Sequence, residues 1–135
     1  MKLLRPLSVV VRYVWAMPTT LLGILVAALS LFTGGRARWH SGVLEVHGGF
    51  AAFFLRKLVP LQGGASAMTL GHVVIARDRE SLDWTRTHER VHVRQCERWG
   101  PLFVPAYFCG ALYARLRGGR AYRDNPFERE AFEKG

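Results

Sequence analysis

The spacing of apolar positions divides this 135-residue chain into segments of different kinds. Leu3, Leu4, Leu7, Val10, Val11, Val14 and Trp15 recur at helical spacing, with Lys2, Arg5 and Arg12 among them. That pattern predicts an amphipathic helix at a membrane surface, with Trp15 near the headgroups. Pro18 suits the first turn of a second helix, running from Thr19 to Thr33 and stopped by Gly34-Gly35. No residue from Tyr13 to Gly35 is charged. Pro18 to Thr33 is 16 residues, roughly 24 Å at 1.5 Å each, against a hydrocarbon core of about 30 Å. The run is short as a span alone and adequate when counted from Tyr13. A retained membrane helix is the leading reading. A signal peptide fits the basic start but not the long region before the apolar core, nor the lack of an A-x-A site. A buried core helix is the third reading.

Further on the period changes. Val43 to His47 reads as a short strand ending at Gly48-Gly49, Phe50 to Val59 is ambiguous, and Gln62-Gly63-Gly64 is a turn or loop. Met68-Thr69-Leu70 and His72 to Ile75 are β-rich and flank Gly71, which predicts one strand with a kink or bulge. Ser81 is the expected N-cap of a long helix from Leu82 to Trp99, stopped by Gly100-Pro101. Leu102 to Leu116 reads as an apolar helix closed by Gly118-Gly119, and Asn125-Pro126 opens a short last one. The expected fold is therefore α+β: N-terminal membrane-associated helices over 1–35, then a 36–135 domain. That domain has a small antiparallel sheet, a long helix, an apolar helix and a short C-terminal helix bearing Glu128.

Charge adds a partner class. The net charge is +9, but the basic residues are scattered, without the stripe and interleaved aromatics of a nucleic-acid binder. Basic residues beside an apolar segment fit anionic lipid headgroups better, so a lipid bilayer is expected and nucleic acid is not. Lys2, Arg5 and Arg12 precede the apolar run and Arg36, Arg38, Arg56 and Lys57 follow it. The positive-inside rule leaves the side of the membrane open, with a lean toward the cytoplasm. Cys96 and Cys109 lack metal spacing and read as two buried thiols.

The chemistry sits on the long helix. His88-Glu89-Arg90-Val91-His92 is an H-E-x-x-H motif. Histidines at i and i+4 lie on one helical face, where two imidazoles can share one zinc ion, and the intervening Glu89 is placed as general base. Trp84, His88, Val91, His92, Gln95 and Trp99 form one stripe, so both histidines are expected to face inward between large apolar residues. A catalytic zinc needs a third protein ligand. No metzincin extension follows, since the position six after His92 is Arg98. Glu128 and Glu130 are the downstream carboxylates. Phe127, Ala131 and Phe132 define the apolar face of the last helix, and Glu128 falls within that arc while Glu130 lies to its side. Glu128 is therefore preferred as ligand, although Asn125-x-x-Glu128 is also a capping-box spacing. His72 is a minor alternative ligand. His40 and His47 read as surface or strand residues.

H-E-x-x-H followed by a helix carrying Glu128-Arg129-Glu130-Ala131 resembles the gluzincin zinc metallopeptidases, including the membrane peptidases with an E-x-x-A-D signature. The block from Thr69-Leu70-Gly71-His72 through His88 to Phe127-Glu128 is also similar to a group of uncharacterised bacterial membrane proteins. The resemblance covers roughly residues 67–134, and Phe132 replaces the signature's Asp. It implies one zinc ion on His88, His92 and Glu128, with Glu89 as base. It also implies that the strand His72, Val73, Val74 and Ile75 pairs with an extended substrate. Tyr122 and Arg123 are candidates to stabilise an oxyanion, and Gln95 to orient His92. The expected activity is a zinc-dependent metallohydrolase of the cell membrane, cleaving peptide bonds in a peptide or protein substrate, with room for an activating protein partner of unknown nature. The alternative is a non-catalytic, zinc-stabilised membrane scaffold or interaction module.

Overall fold

A computed structural model describes residues 4–59 and 64–135; Lys2, Leu3 and the Gln62-Gly63 part of the expected turn lie outside them. Helix α1 spans Leu4–Phe32, and strands β1 (Arg36–His40) and β2 (Val43–His47) follow. Helix α2 (Gly49–Phe53) runs on into a π-helical turn over Phe54–Leu58. Then come β3 (Ala67–Leu70), β4 (Val73–Ala76), α3 (Arg79–Trp99), α4 (Phe103–Leu116) and α5 (Pro126–Lys134). The class is α+β, as expected.

The sheet has the order β1-β2-β4-β3. Two antiparallel hairpins, β1–β2 and β3–β4, meet along a parallel β2–β4 pair in which Leu44 faces Val73. The sheet is thus mixed rather than wholly antiparallel. The parallel pair is possible because the chain between β2 and β4 is long enough to cross over, by way of α2 and β3. Gly71 does not bulge a single strand. Its φ of 65° makes the first position of a two-residue turn, Gly71-His72, which reverses the chain between β3 and β4. The sequence pattern did not reveal β1. Its five residues include two arginines and present no buried apolar face, as suits a short, charged edge strand.

Helix α1 is continuous through Pro18, not two helices broken there. Residues on both sides of the proline dock on the same body, which outweighs the lost backbone bond. Tyr13 Oη donates to Gly42 O (2.6 Å), Trp15 Nε1 donates to Arg98 O (3.2 Å), and Thr20 Oγ1 accepts from His72 N (3.0 Å). The buried face of α1 is made of small residues, Ala16, Thr20, Gly23, Ala27 and Ser30, at spacings of three and four. Its opposite face exposes Val10, Val14, Leu21, Leu25 and Phe32. By length and composition, Ser8–Phe32 is enough to cross a membrane.

Each face of the sheet carries a core. On one face Val46, Val73 and Ile75 pack with Ala27 of α1 and with Ala51 and Leu55. On the other face Val43, Val74 and Ala76 pack with Leu82 and Val93 of α3. A third cluster joins Ala16, Cys96 and Phe103 and ties α1 to α3 and α4. Cys96 is buried and its thiol is pushed up to about 12 by burial, whereas Cys109 is exposed, so only one of the two expected buried thiols is buried.

Helix α3 starts at Arg79, earlier than expected, because Asp78 and not Ser81 caps it: Asp78 Oδ1 accepts from Ser81 N at 2.7 Å. Trp84, expected inside, is 82% exposed, and Trp99 is 40% exposed. The buried stripe narrows to Val91, His92 and Gln95 because α5, a short helix, covers only the C-terminal half of α3. Helix α5 begins as expected, with Asn125 Oδ1 accepting from Phe127 N (3.0 Å) and Pro126 in the first turn.

Candidate metal centre

One turn of α3 carries His88 and His92, whose rings meet edge to face at 5.0 Å between centroids. The start of α5 is fixed by the Asn125 cap, which turns Glu128 and Ala131 toward α3. Glu128 Oε1 then lies 3.0 Å from His88 Nε2 and 2.8 Å from His92 Nε2. These three donor atoms fall within 4.8 Å of one another and could hold a metal ion. Two imidazole nitrogens and one carboxylate oxygen are a donor set that suits zinc. Glu130 is not part of the cluster. Its carboxylate accepts from Gln95 Nε2 (3.0 Å) and pairs with Lys134 (3.4 Å). Nor does Glu128 close its own helix end: the Asn125 N–H donates instead to Tyr122 O at 3.3 Å, and Tyr107 Oη donates to Glu128 Oε2 at 2.6 Å.

The electrostatics follow from proximity. Burial alone would raise the Glu128 carboxyl, but hydrogen bonds from His88 and His92, the His92 charge and the Tyr107 hydroxyl together hold it at about 2. Burial would lower His92, yet the Glu128 carboxylate brings it up to about 9. Glu89 is buried, and desolvation pushes its carboxyl above the usual range against the pull of His92 and Thr69. Thr69 Oγ1 on β3 lies 2.6 Å from Glu89 Oε2 and 3.1 Å from Glu89 O, and so anchors the carboxylate to the sheet.

Gln95 fixes the His92 tautomer. Its amide nitrogen has two oxygen acceptors, Phe127 O and Glu130 Oε1, each at 3.0 Å. Its Oε1 must therefore face His92 Nδ1, 2.8 Å away, and Nδ1 must carry a proton. That leaves Nε2 as the nitrogen turned toward the cluster.

The strand expected to pair with substrate is differently placed. Val73, Val74 and Ile75 are buried in β4, whose two edges are already bonded to β2 and β3. His72 lies in the turn before β4. Its ring stacks on Tyr13 (3.8 Å) with Nε2 3.1 Å from Glu97 Oε1, so it is no part of the cluster. Among the described residues, β3 is the edge strand beside the site. Tyr122 senses the charges of Glu128 and Glu89, which with burial push its phenol up. Arg123 stacks over the Phe132 ring at 5.6 Å. His40 and His47 lie on β1 and β2, as expected.

Two residues of the site escaped the sequence reading, Thr69 and Tyr107. Tyr107 had a signal: it sits one turn after Phe103 on the buried side of an apolar helix, where a hydroxyl needs a partner. Thr69 had none beyond its place in a β-rich run. Comparisons with protein-family models, with curated proteins and with solved structures found no match.

Proposed function

We propose that this chain is a membrane-associated, zinc-dependent peptidase. The observation that carries this reading is the convergence of His88 Nε2, His92 Nε2 and Glu128 Oε1 beside a buried Glu89. His88, His92 and Glu128 would hold the ion. Bound zinc would supply Lewis acidity toward a carbonyl oxygen and an attacking water. Glu89, raised by burial and held by Thr69, is suited to take a proton from that water and pass it to the leaving amine. Tyr122 is the preferred oxyanion donor, because its hydroxyl makes no hydrogen bond among the described residues while Arg123 is engaged with Phe132. The edge of β3 that is unpaired among the described residues, rather than β4, is the strand on which an extended peptide would add.

The N-terminal helix supports the membrane part. Small residues dock α1 on the domain and large aliphatics face outward, the reverse of the distribution in a water-soluble helix. The domain therefore stays attached along the helix, and the outward face is the one that meets lipid. Glu89→Gln separates the peptidase from a zinc-stabilised scaffold. In the peptidase it abolishes cleavage of a denatured protein substrate and leaves zinc bound. In the scaffold no zinc-dependent cleavage exists to lose.

A further inference from the structure

A second polar site lies on the face of α3 turned away from the histidines. Cross-strand pairing of Arg36 with His47 and of Arg38 with Glu45 puts these four side chains on the sheet face that α3 covers. There they line a cavity of about 220 Å³ together with Arg79 and Arg86 of α3. Its floor is Glu45, 1% exposed. Arg86 grips the Glu45 carboxylate with Nε (2.9 Å) and Nη2 (3.0 Å), and Arg90 adds a third bond at 3.3 Å. Burial would raise Glu45, but these bonds hold it below the usual carboxylate range, so it stays ionised and saturated.

The remaining charge is unbalanced. Five guanidiniums, on Arg36, Arg38, Arg79, Arg86 and Arg90, stand against three carboxylates among the described residues: Glu45, Asp83 and, beside His47, Asp78. Arg36 and Arg79 make no ion pair among the described residues. Arg79 is also the first residue of α3, where the helix dipole disfavours a cation. Repulsion among the guanidiniums opposes this arrangement, and one bound anion would relieve it. Guanidinium forks match the paired oxygens of phosphate, and a phosphate group has enough oxygens to engage more than one fork. Arg36 follows Phe32, the end of the exposed apolar face of α1, by four positions, within reach of a headgroup layer.

We propose that this cavity binds a phosphate oxyanion, either the phosphodiester of an anionic lipid or a soluble phosphate ester. The test uses the full chain in neutral detergent, titrated with glycerophosphoglycerol, and flotation with phosphatidylcholine vesicles with and without phosphatidylglycerol. The cavity variant is Arg36→Gln/Arg79→Gln. Both side chains are exposed, so folding should be retained. The charge-matched control is Arg115→Gln/Arg120→Gln, on exposed residues elsewhere. The cavity variant should weaken phosphodiester or anionic-vesicle binding at least tenfold, while the control changes it less than twofold. Saturation by the soluble probe assigns the site to a soluble ester, and binding confined to phosphatidylglycerol vesicles assigns it to lipid. If neither probe binds, or if both variants lose binding equally, the cavity is not an anion site.

Discussion

The Gln95 side chain bonds His92 Nδ1 at 2.8 Å and is itself held by two acceptors on α5, so one amide sets both the tautomer of a candidate ligand and the docking of the helix that brings Glu128. Gln95→Leu should remove that orientation. Loss of such an outer hydrogen bond to a ligating histidine typically costs about 10–100-fold in metal affinity. Losing the Gln95 bond to Phe127 O, which keeps its intrahelical partner, adds about 0.5–1.5 kcal/mol of destabilisation. Zinc titration against a competing chelator, read beside thermal melts, separates the two effects.

Tyr107→Phe should act on the same carboxylate more gently. It deletes the 2.6 Å bond to Glu128 Oε2 and leaves ring packing intact. Zinc affinity should fall by about tenfold, the lower end of what one hydrogen bond to a charged group is worth. Fold stability should change by about 1–2 kcal/mol in the metal-free protein. The same titration measures it.

The His92–Glu128 pair makes metal-free stability depend on pH. His92 is raised from 6.5 to about 9, so its contribution is complete below 6.5 and is lost as pH rises through 9. Glu128 is lowered from 4.5 to about 2, so its contribution is complete above 4.5 and is lost as pH falls through 2. The melting temperature of chelator-treated protein should therefore be highest, as far as this pair decides it, between 4.5 and 6.5. Zinc must displace the His92 proton, so its affinity should tighten as pH rises toward 9.

Gly23→Ala tests whether α1 belongs to the folded core. A Cβ there would lie 2.6 Å from Val73 Cβ and 2.8 Å from Leu70 O. Overpacking of this kind costs about 1–3 kcal/mol. In a helix free of such contacts the same change would stabilise by up to about 1 kcal/mol. A rise in melting temperature would therefore contradict the packing of α1 on the β3–β4 hairpin.

Most of the candidate site was legible because its determinants are local. The i,i+4 histidines, the Asn125-Pro126 start and the arc holding Glu128 are all set within single helices, and the structure puts those three side chains together. What the pattern missed depends on distant partners. The continuity of α1 through Pro18 comes from contacts with Gly42, His72 and Arg98, which periodicity cannot register. The parallel β2–β4 pair and the charged edge strand β1 are pairings, not propensities. Trp84 fitted the inward stripe, but no element reaches far enough along α3 to cover it.

Zinc content per chain, measured by elemental analysis on protein purified without chelators, tests the central claim most directly. Wild type should carry about one zinc, lost in His92→Ala and Glu128→Ala and retained in Glu89→Gln and Glu130→Ala. Well-folded wild type without zinc, or with zinc that survives Glu128→Ala, would contradict the assignment of His88, His92 and Glu128 as a metal centre.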